Sequence, residues 1–269
     1  MKDIRIATVI FNSPVGRTGY NLDHTVKMIK EAKKRGVAVI CFPEMNITGY
    51  STGEDIKGAA EPVPGPITQE LLHWAVSENI VILAGLAEKS SNNQLFATHL
   101  VIKPDGIMEI YRKLHASPPE RNVFTSGSRI PLFETKGVRF GIQLCYDAHF
   151  PELSTQMALK GADIIFIPHA SPKGTPKEKY KSWMRHLPAR AYDNSLFIVA
   201  CNQTGDNKKG LRFPGLSLII GPSGAIIDKD LSGKEGMLIA DLKADEMSRV
   251  RNNRMHFFLP GRRPELYCS

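Results

Sequence analysis

The chain has 269 residues, 42% of them hydrophobic and 23% charged. That is the make-up of an ordinary soluble globular protein, and the length suits one large α/β domain as well as two average ones. No apolar run approaches the roughly 20 residues of a membrane span. The net charge of +8, from 35 basic and 27 acidic residues, is the kind of balance that can attract nucleic acid. Here the basic residues are dispersed. The densest clusters, four lysines in Lys173–Lys181 and four arginines in Arg251–Arg263, carry no interleaved aromatics and read as solvated surface or subunit contact. The cysteines Cys41, Cys145, Cys201 and Cys268 show no CxxC spacing. Neither a zinc site nor a disulfide framework is expected, and a reducing cytoplasm is the simplest setting. The N-terminal MKDIRIATVIFNSPVG lacks a small-residue cleavage site and reads as a first strand, not a signal peptide.

Ile4–Phe11 is predicted to be a strand. Leu22–Arg35 has helical apolar spacing and a basic last turn before Gly36. Val37–Phe42 is a second strand, ending at PEMNITGY. Thr68–Asn79 is predicted helical and Ile80–Ala87 a third strand. Leu95–Ile102 and Ile107–Arg112 form a hairpin around Lys103-Pro104-Asp105-Gly106, a strong turn signal. The second half repeats this order. Val138–Leu144 is a strand, Pro151–Lys160 a helix and Asp163–Pro168 a strand. Lys179–Asn194 is helical with an interruption at Pro188. Ser195–Cys201 is a strand, and Leu216–Ile220 and Ala225–Lys229 form a hairpin around Gly221-Pro222-Ser223-Gly224. The unit β-α-β-α-β-β-β therefore occurs twice. Each unit gives a mixed sheet with helices on one face, so the bare faces of the two sheets must cover each other. The expected fold is a four-layer α-β-β-α sandwich with an internal pseudo-twofold repeat. Residues 1–250 form one domain. The tail 251–269 carries Phe257, Phe258, Leu259 and Tyr267, apolar enough to dock, with a subunit interface as the expected place.

The most informative stretch is Val138–Glu152, VRFGIQLCYDAHFPE. It puts Cys145 at the C-terminal end of a strand and near a helix N-terminus, whose positive field would favour a thiolate. Ligand sites in α/β sheets cluster at such strand ends. A small buried apolar role is the plain alternative for this cysteine. Glu44 follows the second strand, Lys113 the first hairpin, and Glu120 lies seven residues on in a Pro-rich loop. Each alone reads as a solvated surface group. With Cys145 they make a carboxylate, an ammonium and a thiol, the inventory of covalent acyl transfer. Cys41 and Cys201 fall inside apolar strands as inert core thiols, while Cys268 is expected to be exposed. Asp147 suits a turn-fixing role, accepting backbone N–H groups, and His115 a structural one.

FPEMNITGY, YRKLH and GIQLCYDAHFPE together resemble the glutamate, lysine and cysteine motifs of the nitrilase superfamily of carbon–nitrogen hydrolases. The resemblance also takes in ARAYDNSLFIVACNQTG and FPGLSLIIGPSG, nearly the whole chain. It implies an α-β-β-α sandwich with Glu44 as general base, Lys113 as oxyanion-stabilising cation and Cys145 as nucleophile. It places Glu120 beside them and makes the Tyr146 backbone N–H an oxyanion donor. It implies no metal or organic cofactor, a small-molecule substrate, and assembly as a homodimer or larger even-numbered oligomer. Tyr-Asp after the cysteine is more similar to amidases and carbamoylases than to nitrilases, which commonly have Trp-Glu there. Hydrolysis of an amide or N-carbamoyl group is thus favoured over a nitrile. Tyr50, His149, His169 and Trp183 are the candidate substrate-lining residues. Histidine at 149 is a weaker cation than the basic residue carbamoyl-amino-acid hydrolases present there. Arg185 and Arg190 are candidates for an acidic substrate, with a structural ion pair expected for Arg190. A nitrilase, an idle scaffold and an amidotransferase-like acyl transferase are the competing readings.

Overall fold

The computed structural model describes residues 1–266, so the readings of Tyr267 and Cys268 lie outside the described residues. In the first half, β1 (Ile4–Ile10) leads to α1 (Thr18–Lys34), β2 (Val39–Cys41), α2 (Asp55–Ala59), α3 (Pro66–Ser77), β3 (Val81–Lys89), β4 (Leu95–Ile102) and β5 (Met108–Arg112). The helix α1 buries Leu22, Val26, Ile29 and Ala32, an i, i+4, i+7 stripe that packs on one sheet face. The expected start at Leu22 is four residues late, because the first turn of α1 is polar and its periodicity is weak.

In the second half, β6 (Phe133–Thr135) precedes β7 (Val138–Ile142), α4 (Pro151–Leu159), β8 (Ile164–His169), α5 (Pro176–Trp183), α6 (Leu187–Asn194) and β9 (Phe197–Asn202). A small ribbon of β10 (Thr204–Asp206) and β11 (Arg212–Pro214) follows, then β12 (Ser217–Ile220), β13 (Ile226–Asp230), β14 (Gly236–Leu242) and α7 (Ala244–Arg251). The helical stretch 179–194 is broken at Met184–His186, and Pro188 sits in the first turn of α6. A first-turn proline costs no hydrogen bond, so it starts the helix here and does not interrupt it.

One sheet has the order β14-β1-β2-β3-β4-β5 and the other β13-β12-β9-β8-β7-β6. In each, three parallel strands (β1–β3, β7–β9) are extended by an antiparallel hairpin. Both hairpin turns close alike, through Gly106 N–H to Lys103 O and Gly224 N–H to Gly221 O, with each turn glycine at positive φ. The edges were not expected. β14, from the end of the chain, pairs antiparallel with β1 along its whole length, and β6 pairs with β7. β14 is only half-buried and β6 has three residues, so neither shows a full strand pattern. The inner faces of the sheets meet in one core containing Cys41, Tyr111, Phe140, Phe166 and Cys201. Truncating one of its phenylalanines to Ala would cost about 3–5 kcal/mol. The outer face of the first sheet packs on α1 and α3, and that of the second on α4 and α6. The tail folds back on its own domain, with Phe258 5.2 Å from the Tyr192 ring of α6. No helix among the described residues is long and apolar enough to cross a membrane.

Candidate active site

The site forms where the C-terminal ends of the parallel strands of both sheets converge. Two reversals of direction, β3 to β4 and β4 to β5, return the chain after β5 to the same end as β2. Lys113 therefore emerges beside Glu44, its N–H still bonded to Ala97 O at 2.9 Å.

The segment after β2 is irregular yet fully bonded. Pro43 has no N–H to give to a ladder, and Met45 has a positive φ of 54°. Polar side chains replace the lost strand bonds. Gly85 N–H donates to Asn46 Oδ1 at 2.8 Å, and Ala87 N–H to Thr48 Oγ1 at 2.9 Å. Gly85 is required here, since a Cβ on it would lie 2.4 Å from Met45 N. The second sheet completes the cradle of Glu44. Gln203 Nε2 donates to Glu44 O at 2.8 Å, and Ala170 N–H to Glu44 Oε2 at 3.0 Å.

Lys113 Nζ donates to Glu44 Oε1 and to Glu120 Oε1, each at 2.8 Å. All three side chains are buried. Burial opposes the ammonium, but the two carboxylates outweigh it and hold the Lys113 pKa well above its ordinary value. Burial also pushes Glu44 up, to about 7, with Lys113 pulling against it and Glu120 adding to it. Glu120 resists burial through Lys113 and the Ser117 N–H, and its pKa is lowered. Tyr50 is buried and donates its hydroxyl to Glu120 Oε1 at 2.9 Å.

Cys145 follows β7 at a φ of +45°, a left-handed conformation that costs a side-chain-bearing residue about 1–2 kcal/mol. Asp147 holds this bend. It accepts from Leu144 N–H at 3.0 Å and Tyr111 Oη at 2.8 Å through Oδ2, and from His115 N–H at 2.8 Å through Oδ1. The turn-fixing reading of Asp147 thus holds, and the same carboxylate also ties the cysteine turn to the loop after Lys113. The helix-end field does not produce a thiolate. Burial and then the negative Glu44 push the Cys145 thiol up to about 12, against the pull of Lys113 and Lys179.

Among the substrate-lining candidates, His169 is buried with Nδ1 2.8 Å from Ile167 O. It stacks on buried Trp183 at 4.2 Å. Burial first, then the positive neighbours His186, Lys179 and His149, keep His169 well below the ordinary histidine range. His149 is exposed, its ring 4.5 Å from His186. Arg185 is exposed. Arg190 makes no ion pair. Its guanidinium donates to Ala148 O at 3.1 Å and His149 O at 3.4 Å, because the turn after Cys145 leaves those carbonyls open within its reach. His186 and Lys179 also border this region, and no motif in the sequence marked them. Lys179 looked like one more surface lysine in a basic cluster. Among the described residues, no group of three or more His, Cys, Asp or Glu side chains is arranged to hold a metal ion.

Residues 5–252 match the family model for carbon-nitrogen hydrolase. The chain belongs to the carbon-nitrogen hydrolase family. Among similar proteins of this family, a nitrilase of Pyrococcus abyssi is 30% identical, the match covering 98% of this chain and 99% of that protein. An (R)-stereoselective amidase of a Pseudomonas species is also 30% identical, over 88% and 84%. A 2-oxoglutaramate amidase of Bacillus subtilis is 30% identical, over 92% and 94%. Two solved carbon-nitrogen hydrolase structures have the same fold. An amidase from Nesterenkonia superposes with a TM-score of 0.85 at 24% identity, covering 98% and 95% of the two chains. A superfamily protein from Xanthomonas campestris does so with a TM-score of 0.87 at 21% identity, covering 98% of each. The family match and the four-layer sandwich agree with the expectation drawn from the three motifs.

Proposed function

We propose that this carbon-nitrogen hydrolase cleaves the C–N bond of a small amide or N-carbamoyl compound through a thioester on Cys145, releasing ammonia. The observation that carries the reading is the Lys113 ammonium held at 2.8 Å from both Glu44 and Glu120 at the end of the strands that present Cys145. Amidase-named relatives support an amide as substrate.

With Cys145 near 12 and Glu44 near 7, the resting proton belongs on sulfur. Ionised Glu44 takes it as sulfur attacks the carbonyl carbon. The negative charge that forms on the substrate oxygen is met by Lys113 and by the Tyr146 N–H, one of the first-turn donors that a helix leaves without an internal partner. Glu44, now protonated, gives its proton to the leaving nitrogen as the C–N bond breaks. A water then attacks the thioester, Glu44 takes its proton, and the C–S bond breaks to release the acid. Glu120 keeps Lys113 in place throughout.

The test is ammonia release from N-carbamoyl amino acids, N-carbamoyl amines, ω-amides, aliphatic amides and nitriles by wild type and Cys145→Ala. Release from an amide or carbamoyl class that the mutant loses supports the reading. Conversion of a nitrile to its acid, with no amide hydrolysis, replaces it with a nitrilase, as the Pyrococcus abyssi relative is named. We further propose a homodimer or larger even-numbered oligomer, since the tail exposes Met255, Phe258 and Leu266. A monomer mass at every concentration in analytical ultracentrifugation overturns that.

A further inference from the structure

Four lysines lie between residues 173 and 181. Lys173, Lys177 and Lys181 are exposed, and Lys179 alone is half-buried. It projects from α5 back toward the strand ends, where Nζ donates to Ser171 Oγ at 2.8 Å and Pro172 O at 3.1 Å. Ser171 is the residue after Ala170, whose N–H holds Glu44 Oε2. Lys179 is thus anchored one residue from the backbone that holds the general base. Its charge also reaches the Cys145 thiol and the His169 ring.

Two neutral oxygens are an incomplete environment for a half-buried ammonium. Such a charge is costly unless an anion pairs with it. Lys113, at the same strand ends, has two carboxylates. Among the described residues Lys179 has none within ion-pair distance, although its pKa is lowered by burial. Its neighbours cannot supply one. Glu44 and Glu120 are both engaged by Lys113, and the side chains bordering it toward the cleft are His169, His149 and His186. The cleft around the thiol is therefore positive on the α5 side and lacks one anion.

We propose that Lys179 is a specificity-determining residue and that it selects amides whose acyl chain ends in a free carboxylate, that carboxylate pairing with Nζ while the amide carbon meets Cys145. This rests on the amide-hydrolase reading and narrows it to monoamides of dicarboxylic acids. The reaction is unchanged: amide plus water gives a dicarboxylate and ammonia, and Lys179 exchanges no proton.

The experiment pairs substrates of equal length that differ in the carboxylate: succinamate against butyramide, and glutaramate against valeramide. Wild type, Lys179→Met and Lys179→Arg are compared. Wild type is expected to favour one carboxylated member by at least ten-fold in kcat/KM. Lys179→Met should lower that ratio by about 30-fold or more, mainly through KM, as loss of one partner of a desolvated charge pair does. Lys179→Arg should restore most of it. An equal fall for both members of a pair, or a wild-type preference for the neutral amides, overturns the proposal. If wild type hydrolyses neither kind, the amide-hydrolase reading fails separately. Alkylation of Cys145 by iodoacetamide then decides the matter. Protection by succinate or glutarate in wild type, lost in Lys179→Met, supports carboxylate binding at Lys179. Equal labelling in both proteins rules it out.

Discussion

Tyr50 Oη lies 2.9 Å from Glu120 Oε1, the same oxygen that accepts Lys113 Nζ. The hydroxyl fixes the carboxylate that fixes the lysine, so Tyr50 acts on the site through two buried contacts. Tyr50→Phe keeps the ring, with its edge-on contact to Phe213, and removes only the hydrogen bond. A hydrogen bond to a charged group contributes about 1.5–3 kcal/mol. Because the rest of the cradle remains, kcat should fall about ten-fold with KM little changed. Steady-state amide hydrolysis measures this, and an unaltered kcat would show that Glu120 needs no help.

The pH profile tests Glu44. Burial raises its pKa to about 7, and the base must be ionised to take the thiol proton. Below that pH Glu44 is neutral, so log kcat/KM should rise with unit slope and level off above about 7. Glu120 contributes to the raised value through its like charge. Removing that charge with Glu120→Gln favours ionised Glu44, so the acid limb should move to lower pH even as the rate drops. A limb that moves upward would contradict this assignment of charges.

The backbone at Cys145 gives a stability prediction independent of activity. Its φ of +45° is strained for any residue with a Cβ and open to glycine. Cys145→Gly should therefore be more stable than Cys145→Ala by about 1 kcal/mol, although glycine normally loses to alanine through chain entropy. Urea denaturation of the two inactive variants compares them directly. The reverse order would mean that the bend relaxes once the thiol is gone.

Gly85→Ala probes the other half of the site. The added Cβ would meet Met45 N at 2.4 Å, with His99 Nδ1 at 2.9 Å on the other side. Overpacking of this kind costs about 1–3 kcal/mol, and here the displaced atoms adjoin Glu44. A lower melting temperature should come with a loss of kcat larger than that of an equally destabilising substitution on the α1 side of the sheet. Thermal melts and kinetics on the same preparations separate the two effects.

Much of this protein is legible in the chain itself. The apolar runs of β1, β3, β7, β8 and β9 are buried on both faces, so hydrophobicity alone marks them. The turns at Lys103–Gly106 and Gly221–Gly224 need their glycines, and composition marks those. Glu44, Lys113 and Cys145 each follow such a strand or hairpin, which placed them at strand ends before any contact was known. Their expected convergence follows from topology, because parallel strands and paired reversals bring chain ends to one side of a sheet.

What tertiary structure decided are matters of pairing and solvation, which local pattern does not encode. β14 becomes a strand because β1 offers it a free edge more than 200 residues away in sequence. The thiol of Cys145 stays protonated because burial and the facing Glu44 outweigh the helix end. Arg190 binds carbonyls, not a carboxylate, because the turn it meets has open acceptors. Lys179 differs from its three exposed neighbours only because α5 turns it inward over the strand ends. A residue type and its spacing fix what chemistry a side chain can carry. The dielectric around it, and the charges facing it from distant segments, fix whether that chemistry is used.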